Sequence, residues 1–261
     1  MKLRARIGAV LHLPSGSYFD RLLLIFENMN SGYANPYTVA SAAPTERAAF
    51  IRKTYLHLAF AILAFIGVEG LLLQQSWAPA LIQKMTGGMG WLIVLGAFMG
   101  VSFLAERLAA SDSSKGVQYA GLGIFVVAEA IIFLPILYIA KNFAQDPQVI
   151  LKAGITTGFV FGGLTFAAFA TGKDFSFLRG FLMVGGFVAL GIIVCSIIFG
   201  FNLGTIFAGA MALFAAVAIL YNTSNIIHHY RTDQYVSASL SLFANVALLF
   251  WYILQIFMSR R

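Results

Sequence analysis

Residues 117–140 read VQYAGLGIFVVAEAIIFLPILYIA, an apolar run in which Glu129 is the only charged side chain. A helix that crosses the hydrocarbon core of a bilayer needs about 20 mostly apolar residues, so this run predicts a transmembrane helix. The whole chain is 60% hydrophobic and 10% charged, whereas a soluble domain is roughly 45–50% apolar and about 25% charged. The chain is therefore predicted to be an integral membrane protein.

Six further apolar runs match the first in length. Turn-forming residues separate neighbouring runs, including Gly87-Gly88, Asp146-Pro147 and Gly200. Backbone polar groups inside a bilayer must be satisfied within their own segment, so each run is predicted to be helical. The predicted fold class is all-α: a polytopic integral membrane protein with seven transmembrane helices in a compact bundle. The predicted spans are Thr54–Trp77, Met89–Glu106, Val117–Ala140, Val149–Ala170, Leu178–Phe201, Gly204–His228 and Tyr235–Met258.

The first 50 residues contain no apolar run long enough to cross a membrane. Residues 1–50 are therefore predicted to form a polar N-terminal tail, followed by a seven-helix transmembrane domain of residues 51–261. A second methionine, Met29, opens a segment typical of a cytoplasmic tail. Residues 1–28 are accordingly interpreted as an upstream extension from a misassigned start.

The basic residues indicate an orientation. The formal net charge is +7, but the 17 Lys and Arg residues are scattered among the connections and form no stripe with interleaved aromatics, so no nucleic-acid partner is predicted. With seven spans, twelve of the 17 lie on the face of the N-terminus and five on the other face. The positive-inside rule then predicts a cytoplasmic N-terminus and an external C-terminus, with the lipid bilayer as the obligatory partner.

Two glutamates fall inside predicted spans, where an ionisable side chain costs roughly 2.5–3.5 kcal/mol on insertion scales. Counted from the inner face, Glu69 lies about 22 Å and Glu129 about 18 Å along their helices. Two carboxylates that meet in a low-dielectric interior cannot easily both be charged, so such a pair would form a pH-sensitive or cation-attracting site. The alternative is that each glutamate is protonated or hydrogen-bonded independently to a neighbouring helix.

Other polar residues lie nearer the inner face. Asn222 and Asn245 are suited to hydrogen bonds between helices, so a structural clamp is the default interpretation for both. His228 and His229 lie at the inner boundary, where they are either solvated or pH-sensing. The sequence contains no HExxH, GxSxG or GxxxxGK[ST] motif, which argues against an enzyme and gives no indication of a cofactor. One cysteine, Cys195, excludes an intrachain disulfide and a cysteine-based metal cluster.

Small residues recur at a spacing of four. The pairs Gly96 with Gly100 and Gly158 with Gly162 are typical of close helix packing, and they predict contacts inside the bundle or between two copies of the chain. They do not specify an oligomeric state.

Several strings together resemble the bacterial branch of the Bax inhibitor-1 (TMBIM) family, from about residue 45 to the end. The pattern combines the FATGKDFSFLRGFL connection, which contains Asp174, with ILYNTSNII in the sixth span. The other matching strings are FIRKTYLHLAFAILAF, AEAIIFLPIL and SLFANVALLFWYILQIF. The resemblance implies a seven-helix bundle with the last helix at its centre, in the plasma (inner) membrane of a bacterium.

The resemblance also implies functions. Several members of the family are proposed to be pH-sensitive calcium leak channels, and others resemble regulators or substrates of the membrane quality-control protease FtsH, engaged through the N-terminal tail. The family's leak is gated by an aspartate pair whose positions here hold Asn222 and Asn245. Amides do not titrate in this range, so the family's pH switch is not expected in this chain.

Two functions remain open from the sequence. The first is a cation leak, calcium included, or a related role in ion homeostasis and stress protection. The second is a non-conducting protein that binds a membrane protease such as FtsH. The candidate residues for an ion pathway or a pH sensor are Glu69, Glu129, Asn222 and Asn245, followed by Asp174, His228 and His229. An ion-coupled transporter that needs Glu69 or Glu129 is a further alternative.

Overall fold

A computed structural model of the protein describes residues 38–112 and 114–259. The expected extension of residues 1–28 lies outside this part of the chain. Seven of the described helices are long and apolar enough to cross a membrane, and the remaining one, α2, has nine residues and is too short to do so. The helices are α1 (Pro44–Leu72), α2 (Ala78–Thr86), α3 (Gly90–Ala109), α4 (Lys115–Phe143), α5 (Val149–Thr171), α6 (Leu178–Phe199), α7 (Gly204–His228) and α8 (Tyr235–Ser259).

The first helix differs most from its predicted span. It begins at Pro44, within the segment predicted to be polar tail, and it ends at Leu72 instead of reaching Trp77. Proline is favourable at a first helical position because its missing N–H would have no helical partner there. Helix α2 was not predicted. It forms part of the connection between α1 and α3. For this connection the sequence had indicated only turn-forming residues.

Helix α8 lies at the centre of the bundle. It packs against α1, α3, α4, α5 and α7. Phe243 of α8 shows this position, because its ring contacts Phe65 of α1 and Phe125 of α4, each with a centroid distance of 6.0 Å. The expected central position of the last helix is therefore confirmed. Helix α4 is similarly enclosed, whereas α6 packs mainly against α7 and exposes most of its surface.

Helices α3 and α4 are in close contact at Gly121, a glycine that the spacing pattern did not indicate. A Cβ atom on Gly121 of α4 would lie 2.6 Å from the carbonyl oxygen of Ala105 and 2.6 Å from the amide nitrogen of Ala109 on α3. By contrast, a Cβ on any of the four glycines predicted to pack, Gly96, Gly100, Gly158 and Gly162, would meet no described atom within 4 Å. The prediction that they form contacts inside the bundle was wrong, because they lie on its outer surface.

The segment before α1 is bound to the connection between α7 and α8. Thr38 forms an antiparallel bridge with Arg231, and the amide of Val39 donates to the carbonyl oxygen of Tyr230 at 2.9 Å. The Val39 side chain is fully buried. We call the end of the bundle that holds this contact the tail end, and the opposite end the far end.

Candidate functional site

A cavity of approximately 970 Å³ lies between α6 and the rest of the bundle. Residues of α3, α4, α6, α7 and α8 line it, together with the connection of residues 200–203. Along α3 the lining extends from Trp91 near the far end to Glu106 near the tail end, about 22 Å at 1.5 Å per residue. The hydrocarbon core of a bilayer is about 30 Å thick, so the cavity covers most of its depth.

Polar side chains line the cavity at several depths. Two of them, Glu129 of α4 and Asn245 of α8, are sequence candidates for an ion pathway, and the structure brings both to the same cavity. Glu129 is buried. The Asn245 NH2 group donates to the Ser241 carbonyl oxygen at 2.9 Å. The amide oxygen of Asn245 takes no part in this hydrogen bond. Most of the other lining residues are apolar. The cavity is therefore mainly apolar, with acceptor oxygens on α4 and α8.

Ser102 and Glu106, which were not among the candidates predicted from the sequence, also line the cavity from α3. The Ser102 hydroxyl is buried and has no hydrogen-bond partner among the described residues. A signal for both residues was present, because Trp91, Leu95 and Phe98 precede them at helical spacing and all five line the cavity. Glu106 had been interpreted only as the end of the second span.

Glu69 lies apart from this cavity. Its side chain is buried, and neither carboxylate oxygen has a hydrogen-bond partner among the described residues, so Glu69 is not bonded to Glu129. Phe65, one turn before Glu69, packs edge to face against Phe133, one turn after Glu129, at 5.2 Å between centroids. Because α1 and α4 cross the bundle in the same direction, the two carboxylates lie on opposite sides of this ring pair along the helices.

Asn222 is also outside the lining of the cavity, although it is half-buried on α7. The side-chain amide of Asn245 donates to its own helix, and the structure shows no hydrogen bond between the two asparagine side chains that would join α7 to α8. The structure thus separates the four leading candidates: Glu129 and Asn245 share the cavity, whereas Glu69 and Asn222 do not.

The connection between α5 and α6 is attached to α7 through Ser224. The amide of Phe175 donates to Ser224 Oγ at 2.8 Å, and the Ser224 side chain is fully buried. Asp174 in the same connection pairs through Oδ2 with Nε2 of His229 at 3.0 Å. The two sequence strings most specific to the resembled family therefore contact each other at the tail end.

The Asp174 carboxyl is held in its charged form. Burial tends to raise its pKa, but hydrogen bonds from the amide of Ser176 and from His229 outweigh this effect, so the pKa lies below its ordinary value. A carboxyl whose pKa is lowered by folding stabilises the fold above its ordinary pKa, and that contribution is lost as the pH falls through the folded value. Nδ1 of the neighbouring His228 donates to the Ser224 carbonyl oxygen at 3.0 Å.

Replacing Ser224 with alanine is expected to loosen the α5–α6 connection. The part-buried Phe175 amide would lose its acceptor, at a cost of about 1 kcal/mol. The measurement is thermal unfolding of the purified protein in detergent. Ser259→Ala is the matched control, because its hydroxyl bonds only to the Gln255 carbonyl oxygen of its own exposed helix end. Equal unfolding temperatures for both variants would contradict the attachment.

Seven helices long and apolar enough to span a bilayer define this chain as a multi-pass integral membrane protein, and five of them line the cavity. Comparison with known protein families identifies the family to which the chain belongs. The family described as "Inhibitor of apoptosis-promoting Bax1" has a model that matches residues 47–261. The chain therefore belongs to the Bax inhibitor family, as its sequence strings indicated.

Relatives come from plants, fungi and bacteria. The chain is 33% identical to Protein LIFEGUARD 4 of Arabidopsis thaliana, over 87% of this chain and 91% of the relative. It is 30% identical to Bax inhibitor 1 of Schizosaccharomyces pombe, over 86% of this chain and 81% of the relative. An uncharacterized protein of Pseudomonas aeruginosa is 33% identical over 85% of this chain and 95% of its own length. The similarity thus extends over more than four fifths of each of these relatives.

Proposed function

We propose that this member of the Bax inhibitor family provides a passive pathway for cations, calcium included, across its membrane. The observation that carries the proposal is the cavity of approximately 970 Å³ behind α6, with Glu106, Glu129 and Asn245 in its lining. Carboxylate and amide oxygens are the ligands that calcium prefers. These groups lie on three different helices of a lining that extends over about 22 Å along α3, which suits successive weak contacts along a path.

Weak contacts agree with a leak. Within residues 38–112 and 114–259, no group of three or more His, Cys, Asp or Glu side chains is close enough to hold a metal ion. An ion that is bound tightly leaves slowly, whereas conduction requires binding sites that release the ion readily. The unpartnered Ser102 hydroxyl supports a wet cavity, because water there would satisfy a buried polar group that has no described protein partner.

The proposed orientation places the tail end in the cytoplasm of a bacterium and the pathway in its inner membrane. The excess of Lys and Arg residues on the tail side supports it. Because Asn222 and Asn245 stand where the family has an aspartate pair, the proposed leak lacks that pair's pH gate.

The test is calcium flux into liposomes that contain the purified protein and a trapped indicator. Native protein is expected to admit calcium faster than protein-free liposomes. Ser196→Trp, which places a large side chain into the cavity from α6, is expected to slow the flux by about tenfold, equivalent to a barrier increase of about 1.4 kcal/mol.

Val188→Trp is the matched control, because Val188 lies on the same helix with 56% of its surface exposed. It is expected to leave the flux unchanged. Equal flux through the native protein and Ser196→Trp would contradict a pathway through this cavity.

Binding of a membrane protease such as FtsH is a second candidate function. The observation that favours it is the anchoring of Thr38 and Val39 to the α7–α8 connection at the tail end. Absence of flux from the native protein, with protease binding that requires residues 1–37, would favour this function. A truncation for that experiment must retain Val39 and the start of α1 at Pro44, because both belong to the folded bundle.

A further inference from the structure

A second cavity, of approximately 450 Å³, lies at the tail end between the start of α6 and the end of α7. Its lining is polar, and its described lining residues include no Asp or Glu. The side chains in the lining offer a guanidinium, amides, hydroxyls and an imidazole. They belong to Ser176, Arg179, Tyr221, Asn225, His229 and Gln234, with Tyr230 completing the lining.

Arg179 supplies the charge of this cavity. Its guanidinium forms no ion pair among the described residues. The carboxylate nearest in the sequence, Asp174, is paired with His229, and the acidic partners of Arg231 are Asp112 and Asp233. Each of these acids is therefore already paired, Asp174 with an imidazole of the lining itself, and none of them pairs with Arg179. The Arg179 guanidinium, with the neutral donors beside it, is open to an anion. A guanidinium matches the geometry of phosphate oxygens particularly well.

The height of the cavity indicates where such an anion would come from. Helix α7 ends at His228 and α6 begins at Leu178, so the cavity lies where two spanning helices leave the hydrocarbon core. Phospholipid headgroups occupy that level. From the same point, α6 presents exposed apolar side chains along which an acyl chain could lie: Met183 and Phe187, four and eight residues after Arg179, share its face of the helix.

We propose that this cavity binds the phosphate of an anionic phospholipid, with the headgroup at Arg179 and the acyl chains along α6. Basic pockets between spanning helices are known to suit such headgroups. Tyr221 and Asn225 of α7 act as hydrogen-bonding groups for the phosphate oxygens. The site is separate from the cavity behind α6 and does not require ion conduction.

The experiment titrates phosphatidylglycerol into the detergent-solubilised protein and follows bound lipid by native mass spectrometry. Phosphatidylcholine serves as the zwitterionic lipid and inorganic phosphate as the soluble anion. Native protein is expected to retain phosphatidylglycerol preferentially. Arg179→Gln is expected to weaken that binding by about tenfold or more, because a charge-assisted hydrogen bond is lost, and Tyr221→Phe by a smaller factor.

Arg107→Gln is the matched control, since Arg107 lies at the same end of the bundle on α3, away from the cavity, over the Phe103 ring. It is expected to bind phosphatidylglycerol like the native protein. Equal binding by Arg179→Gln, native protein and Arg107→Gln would overturn the proposal. Arg179-dependent binding of inorganic phosphate, without a preference for phosphatidylglycerol, would also overturn the lipid assignment and identify a soluble phosphate as the ligand.

Discussion

The double substitution of Glu106 and Glu129 with glutamine is expected to reduce cation flux by at least about tenfold. Two unit charges attract each other by about 4 kcal/mol at 4 Å in an effective dielectric of about 20, and a loss of one third of that energy changes a rate or an affinity by about tenfold. Glutamine preserves the size of the side chain and removes the carboxyl group that can attract a cation. The measurement is the liposome flux assay with calcium.

The matched control is Glu69→Gln. Glu69 is as deeply buried as Glu129, but it does not line the cavity behind α6. Its substitution is expected to leave flux near the native rate. A flux that falls with Glu69→Gln and survives the double substitution would reverse the roles of the glutamates and exclude this cavity as the route.

The substitution Gly121→Ala is expected to destabilise the protein by about 1–3 kcal/mol, the usual cost of overpacking. The added Cβ would meet the backbone of α3 at 2.6 Å, at the Ala105 oxygen and the Ala109 nitrogen. Backbone atoms in a packed helix cannot turn aside as a flexible side chain can. The two helices would have to separate, and the cavity lining on both would shift with them. Thermal unfolding in detergent measures the effect.

Gly123→Ala provides the opposite expectation. Gly123 lies two residues further along the same helix, on its opposite face. Its added Cβ would meet no described atom within 4 Å. Alanine is more favourable than glycine inside a helix by about 0.8–1 kcal/mol, so this variant is expected to be as stable as the native protein or slightly more stable. A lower unfolding temperature for Gly123→Ala than for Gly121→Ala would contradict the close contact between α3 and α4.

Hydropathy predicts the seven spans because each helix must satisfy its own backbone within the bilayer, whatever its neighbours are. The same reasoning does not predict how each helix is rotated about its own axis, or how residues on different helices compare in depth. Glu69 and Glu129 have similar depths by counting residues, yet the Phe65–Phe133 contact separates them along the bundle. Counting from assumed span starts could not show this, because α1 begins at Pro44 and not near Thr54.

Tertiary contacts account for the rest of what the sequence could not predict. Glycine spacing suggested packing at Gly96 and Gly158, but spacing does not reveal which face of a helix points toward lipid. Both glycines lie on the outer surface of the bundle. The stripe from Trp91 to Glu106 was readable as one face of α3. Its partner surface on α6, about 100 residues later in the sequence, was not.

Helix α6 has the bilayer on one side and the cavity on the other, and it packs mainly against α7. A close-packed interior resists compression, whereas a helix with a cavity behind it can yield. Lateral pressure from the surrounding acyl chains therefore acts on the most compliant wall of the bundle. The width of the cavity becomes a quantity that the thickness and tension of the membrane help to determine.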